Sequence, residues 1–203
     1  MQDELLIRRA QHGDADAFEQ LLLEHQKNVY NLCYRMAGNP DDAMDLSQET
    51  FLRAWRCLDQ YQFASAFSTW LYRLCSNICI DFLRRRRRQQ TVPLTFEDAD
   101  GEEQTYAVPD AQPLPEEQVE LKLTRETLAA AMAQLLPEHR AVLQLRVVNE
   151  MSYEQIADVL DIQIGTVKSR LSRARNQLKK ILERGNLSRR ASSESMEGEV
   201  AAK

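Results

Sequence analysis

"MSYEQIADVLDIQIGTVKSRLSRARNQLKKIL", residues 151–182, decides the fold. Ser152 followed by Gln155 spells a capping box, in which each side chain satisfies the other residue's unpaired amide at a helix start. The apolar pattern behind it predicts a short helix to Leu160, a tight connection over 161–164 and a longer second helix. At about 100° per residue, Val167, Leu171, Ala174 and Leu178 fall in one narrow stripe that must face a core. Opposite that stripe lie Ser169, Ser172, Arg173 and Asn176, with Lys168 and Arg175 on one shoulder and Arg170 and Gln177 on the other. Short side chains let a helix approach a major groove, arginine forks onto a guanine edge, and flanking cations reach phosphates. The stretch therefore reads as a helix-turn-helix that binds duplex DNA.

Upstream, residues 115–148 continue the helical pattern, broken at Pro137, and complete a C-terminal block. Downstream, "GNLSRRASSESMEGEVAAK" (185–203) is polar, Ser-rich and without core positions, so it is expected to be disordered. Before this block, four of the six prolines (Pro93, Pro109, Pro113, Pro115) crowd into 93–115. Residues 91–120 also hold nine acidic residues and no lysine or arginine. The formal net charge of -5 is thus local, and the rest of the chain carries +4. An acidic linker between two mildly basic blocks follows.

The N-terminal block reads as all-α. Residues 14–36 place Phe18, Leu21, Leu22, Val29, Leu32 and Cys33 at helical spacing. In "GNPDDAMDLSQETFLRAWRCL" (38–58), Asn39 stands at an N-cap, Pro40 at the first helical position, and Asp41 and Asp42 complement the dipole. A third long helix is expected over about 67–88. It ends in "RRRRR" (84–88), cations that suit a helix C-terminus whatever else they do. Just before and within it, Phe63, Phe67, Trp70 and Tyr72 cluster with Ser65, Ser68, Thr69 and Asn77. Aromatic faces beside a basic patch are what stacking unpaired bases requires, although Trp70 and Phe67 also suit a core.

Composition excludes other classes. The start is acidic and amphipathic, unlike a signal peptide, and no apolar run approaches the ~18 residues of a bilayer span. The four cysteines fall in apolar helical patterns without CxxC spacing and read as small buried hydrophobes of a reduced, cytoplasmic protein. No cofactor or metal is called for. Asp41, Asp42 and Asp45 crowd one helix start with no second carboxylate cluster to pair with them, which argues against metal-assisted hydrolysis and against an enzyme.

"DAFEQLL", "DDAMDLSQETFLRAW", "FSTWLYRLCSNICIDFLRRRRR" and "MSYEQIADVLDIQIGTVKSRLSRARNQLKK" together resemble the small bacterial sigma factors of the extracytoplasmic-function (ECF) group, over about residues 1–185. The resemblance implies two small helical domains: region 2 over 1–90 and region 4 over 116–185, with a linker at 91–115 and a tail at 186–203. It implies a factor that binds core RNA polymerase and reads promoter DNA, and that an anti-sigma factor holds in check. Carried over by residue, Asp45, Leu46, Gln48, Glu49, Phe51, Leu52 and Trp55 would dock on the clamp helices of the polymerase's largest subunit. Region 4 would meet the polymerase flap. Phe63, Ala64, Ser65, Phe67, Trp70 and Asn77 would capture a flipped base of the -10 element, with Arg84, Arg85, Arg87 and Arg88 beside its backbone. Lys168, Ser169, Ser172 and Arg173 would read the -35 element, while Ser152, Tyr153, Thr166, Arg170 and Arg175 hold phosphates. The linker, through Glu97, Asp98, Asp100, Glu102 and Glu103, would thread toward the polymerase cleft and imitate nucleic acid there. The rival reading is a helix-turn-helix regulator that binds duplex DNA only; it needs neither the Phe63–Asn77 cluster nor a docking helix.

Overall fold

The computed structural model describes residues 2–91 and 116–200, with side chains described over 4–89, at 124 and over 126–185. The linker and its acidic residues 97–103 lie outside these residues. Among the described residues the chain is all-helical: α1 (Gln2–Gln11), α2 (Ala15–Ala37), α3 (Pro40–Cys57), α4 (Phe67–Thr91), α5 (Glu116–Ala133), α6 (Pro137–Val147), α7 (Tyr153–Leu160) and α8 (Ile164–Val200). A single 3-10 turn, Leu58–Gln60, follows α3.

Local chemistry sets the boundaries. Asp14 caps α2 by accepting from the Ala17 amide, and Gly38 ends it at φ 90°, a left-handed conformation that glycine adopts without penalty. Asn39 then caps α3 through the Asp42 amide at 2.8 Å, with Pro40 at the first position as the sequence predicts. Both halves of the Ser152–Gln155 capping box form, at 2.8 and 3.2 Å. Asp161 closes α7 in the left-handed region and makes the turn into α8.

α1–α4 pack around Leu21, Val29, Leu32, Met36, Leu58 and Leu71, and α5–α8 around Leu145, Ile156, Val159, Val167 and Leu171, all buried. Cys33, Cys75 and Cys79 are buried between α2 and α4, with Sγ of Cys33 3.4 Å from that of Cys75, while Cys57 is only half-buried. Hydrogen bonding to Cys33 together with burial pushes the Cys75 thiol up. Three of the four cysteines thus occupy core positions, with their sulfurs within 4.8 Å of one another, and Cys57 does not.

Two features differ from expectation. The two blocks form one continuous core, with α4 packed on α7 and both α2 and α4 packed on α6. Arg140, almost fully buried, explains part of this. One of its amino groups donates to the Met36 carbonyl at the end of α2 and the other to the Ala133 carbonyl at the end of α5. It thereby satisfies two helix-end acceptors from different blocks. Second, α8 runs to Val200, through most of the segment expected to be disordered. No proline interrupts 186–200, and a helix already nucleated upstream extends at little cost per residue.

Candidate nucleic-acid and partner interfaces

The first surface is on α8. Val167, Leu171 and Ala174 are buried and Leu178 packs against the core, which fixes the helix rotation. Lys168, Ser169, Ser172, Arg173, Arg175 and Asn176 are consequently exposed, so the outward face is the one read from the sequence. Thr166 is half-buried and its carbonyl accepts from the Ser169 hydroxyl at 3.0 Å. Tyr153, at the start of α7, carries the Lys168 ammonium 5.9 Å and the Arg146 guanidinium 5.2 Å from its ring centroid. These contacts tie the first turn of α7 to the basic shoulder of α8. The Glu154 carboxyl is held below its ordinary value, chiefly by its own backbone amide and then by Ser152, with Lys168 and Arg146 adding to the effect. Arg170 departs from its neighbours: it is half-buried and lines a cleft with Asn77 and Asp81 of α4 and Glu138 of α6, whose ionised form its charge favours.

The second surface is the turn between α3 and α4 with the start of α4. Tyr61, Phe67 and Trp70 form a ring cluster with centroids 5.4–5.7 Å apart. Phe67 is buried and so cannot meet a base; its place in the set of -10 contacts is corrected to supporting the loop from beneath. Trp70 is half-buried in the same cluster. Phe63 is half-buried rather than solvent-reaching, at φ 58°, while Ala64 is exposed and Ser65 half-buried. Asn77 is exposed on α4 about three turns on, and lines a cleft of ≈ 370 Å³ together with Arg53, Asp81, Arg84 and Arg170.

All five arginines of the run are exposed at the end of α4, Arg85, Arg87 and Arg88 among them. Arg84 pairs with Glu138 of α6 at 2.6 Å, and Arg86 with Asp42 at the start of α3 at 2.9 Å. Neither partner is readable from sequence, since each lies more than 40 residues away.

The third surface is the outer face of α3. Asp45, Gln48, Glu49, Leu52 and Trp55 are exposed, with Leu52 at 55% and Trp55 at 38%. Leu46 is buried and Phe51 half-buried beside Leu21, Leu22 and Leu71. The period of α3 turns both inward, so Leu46 supports this face and does not touch a partner. Met44, 50% exposed, belongs to it and was missed, because a methionine next to a helix start carries no distinguishing pattern. Acids interleaved with exposed Met44, Leu52 and Trp55 make a face suited to a partner helix.

The family model for sigma-70 region 2 matches residues 21–89 and that for sigma-70 region 4 matches residues 125–178. The chain is 33% identical to the ECF RNA polymerase sigma factor SigW of Bacillus subtilis, over 87% of this chain and 94% of that protein. Among solved structures it is similar to CnrH, determined with the cytosolic domain of CnrY, with TM-score 0.63 and 26% identity over 90% of this chain and 98% of that one. It is also similar to the sigma factor RpoE of Bartonella quintana, determined with the anti-sigma factor NepR, with TM-score 0.57 and 27% identity over 82% of this chain and 96% of that one. Two sigma-70 domains in order, over a chain that spans nearly the whole of these relatives, mean that the protein belongs to the ECF sigma factors.

Proposed function

We propose that the chain gives RNA polymerase its promoter specificity through the three surfaces just described, each with one task. α3 presents Asp45, Gln48, Glu49, Leu52 and Trp55, with Met44, to the clamp helices of the polymerase's largest subunit. The Phe63–Ser65 turn, backed by Tyr61, Phe67 and Trp70, receives an unpaired base of the -10 element, and Asn77 offers an amide to its edge. Flipping a base costs a few kcal/mol, which stacking and edge hydrogen bonds offset. Arg85, Arg87 and Arg88 lie where the backbone of the same element would pass, while Lys168, Ser169, Ser172 and Arg173 enter the -35 major groove. Region 4 also meets the polymerase flap. This work is binding, not bond chemistry, and belongs in the cytoplasm, where RNA polymerase acts. No described helix is long and apolar enough to cross a membrane.

One observation carries the reading. A basic recognition helix and a separate aromatic turn with an exposed asparagine occur in one chain; a duplex-only regulator has no use for the second. An anti-sigma factor is a further partner, by analogy with the relative determined with NepR. The test is initiation from a double-stranded promoter by core RNA polymerase with and without the purified protein. Promoter-dependent transcripts are expected only with it, and binding to DNA without programming the core enzyme would overturn the reading.

A further inference from the structure

The turn that carries Phe63 is held from α1, the first helix of its own block. Gln11, the last residue of α1, donates from Nε2 to two carbonyls at once, those of Leu58 and Tyr61, both at 2.9 Å. From the far side the Tyr61 hydroxyl donates to the Ser65 carbonyl at 2.6 Å. Between these anchors Phe63 adopts φ 58°, a left-handed conformation that bulky residues rarely occupy unless the surroundings impose it. Its ring leans on Tyr61, with centroids 4.9 Å apart, and the guanidinium of Arg8 lies 4.7 Å from its centroid. Arg8 belongs to α1, as Gln11 does, and both precede residue 21, where the match to region 2 begins.

Arg8 is also poised to change partner. Its side chain is 59% exposed and its present ion pair is with Glu4, one turn back, at 2.9 Å. An exposed i,i+4 pair of this kind holds weakly, whereas a phosphate oxygen offers guanidinium a charge-assisted and often bidentate partner. The neighbouring Arg9 is committed elsewhere, to Asp14 at 2.7 Å, whose carboxylate also caps α2. Arg8 is therefore the cation at the ring on which a flipped base would stack.

We propose that α1 completes the base-capture site. Gln11 acts as a positioning residue that fixes the path of the turn, and Arg8 exchanges Glu4 for the phosphate of the nucleotide whose base meets Phe63. This rests on the reading of 61–67 as the base-capturing turn. Glu4 is then a built-in competitor for the DNA, so substitutions at Glu4 and Arg8 have opposite signs.

The experiment uses the full chain bound to core RNA polymerase and a forked DNA with a single-stranded overhang, chosen by the wild-type holoenzyme from a randomised pool. Arg8→Ala is expected to weaken binding about tenfold and to lower the slope of log K against log salt by about one. Glu4→Gln is expected to tighten binding a few-fold, and to lose that gain when combined with Arg8→Ala. Gln11→Leu should dim the fluorescence of 2-aminopurine placed at the captured base without changing the salt slope, with thermal melting confirming that the variant is folded. An unchanged salt slope in Arg8→Ala, or a Glu4→Gln gain that survives without Arg8, overturns the phosphate role. An undimmed 2-aminopurine signal in Gln11→Leu overturns the positioning role. Phe63→Ala separates the two levels. If it too leaves forked-DNA binding unchanged, the base-capture reading itself is wrong; if it weakens binding while Arg8→Ala does not, only the role of α1 falls.

Discussion

Arg84 Nη2 lies 2.6 Å from Glu138 Oε1, and Arg84 Nε lies 2.8 Å from the same oxygen, which joins the arginine run of α4 to the first turn of α6. Around this pair, Arg73 donates to the Asp158 carbonyl, and Arg140 bridges α2 to α5. The contacts bring Asn77 and Arg170 to a single cleft. The -10 and -35 elements are separated, by their own numbering, by about 25 base pairs, or roughly 85 Å at 3.4 Å per pair. If the two surfaces serve the two elements as proposed, one closed molecule cannot reach both and the blocks must part. Glu138→Ala is expected to populate the open form, seen as lower energy transfer between dyes on α3 and α8 in the free protein. Unchanged transfer would mean that this pair does not hold the blocks together.

Protonation offers a second handle on the same contact. Burial pushes the Glu138 carboxyl up, but its own backbone amide and the Arg84 guanidinium together outweigh burial and leave it below its ordinary value of 4.5. A depressed carboxyl contributes stability that is fully present above the unfolded value and is lost as pH falls through the folded one. Closure should therefore be constant from neutrality down to about pH 4.5 and weaken below it. Glu138→Gln removes this component, and subtracting its pH profile from that of the wild type isolates it from other carboxylates. A flat difference would contradict the assignment.

If α3 docks on the polymerase as proposed, two of its leucines must behave differently. Leu52 is 55% exposed and Leu46 only 6%. Leu52→Glu is expected to weaken binding to core RNA polymerase at least tenfold while leaving the melting temperature within a few degrees, because an exposed side chain is replaced. Leu46→Ala should do the reverse: about 2–5 kcal/mol of lost stability from an emptied core position, with normal affinity in the protein that remains folded. Fluorescence anisotropy with core enzyme and a parallel denaturant melt distinguish the two. Equal effects in both assays would show that α3 does not divide into a packing face and a docking face.

What the sequence makes legible here is what is local. The Asn39 cap with Pro40, the Ser152–Gln155 box and the inward stripe of Val167, Leu171 and Ala174 each arise within a few residues, and each forms as read. The pairing of the blocks is of another kind. Arg84 with Glu138 spans 54 positions, Arg140 with Met36 spans 104, and Gln11 reaches a turn 47 to 50 residues away. No periodicity encodes such partners, because a surface arginine and a latch arginine have the same local pattern. For the same reason Leu46 and Phe67 read as contact residues: only the rotation of the packed helix tells an apolar residue that faces a partner from one that faces the core.

The start of α7 allows structure and recognition to be tested at one residue. Ser152 accepts from the Gln155 amide, and its own amide is satisfied by the Gln155 side chain. Ser152→Ala removes one half of the box and should cost about 1 kcal/mol, or roughly 2–4 °C in melting temperature for a chain of this size. Such a loss alone says nothing about DNA. Ser152→Asp keeps a good capping oxygen, and an anion there also suits the helix dipole, so stability should be retained or slightly raised. If the same helix start holds a promoter phosphate, the added negative charge must repel it. Ser152→Asp should then bind a -35 duplex about tenfold more weakly at low salt, with the deficit shrinking as salt screens the repulsion. A variant as stable as the wild type that binds the duplex equally well would confine Ser152 to capping, and would leave phosphate contact to the other residues assigned to it, foremost the exposed Arg175 on α8.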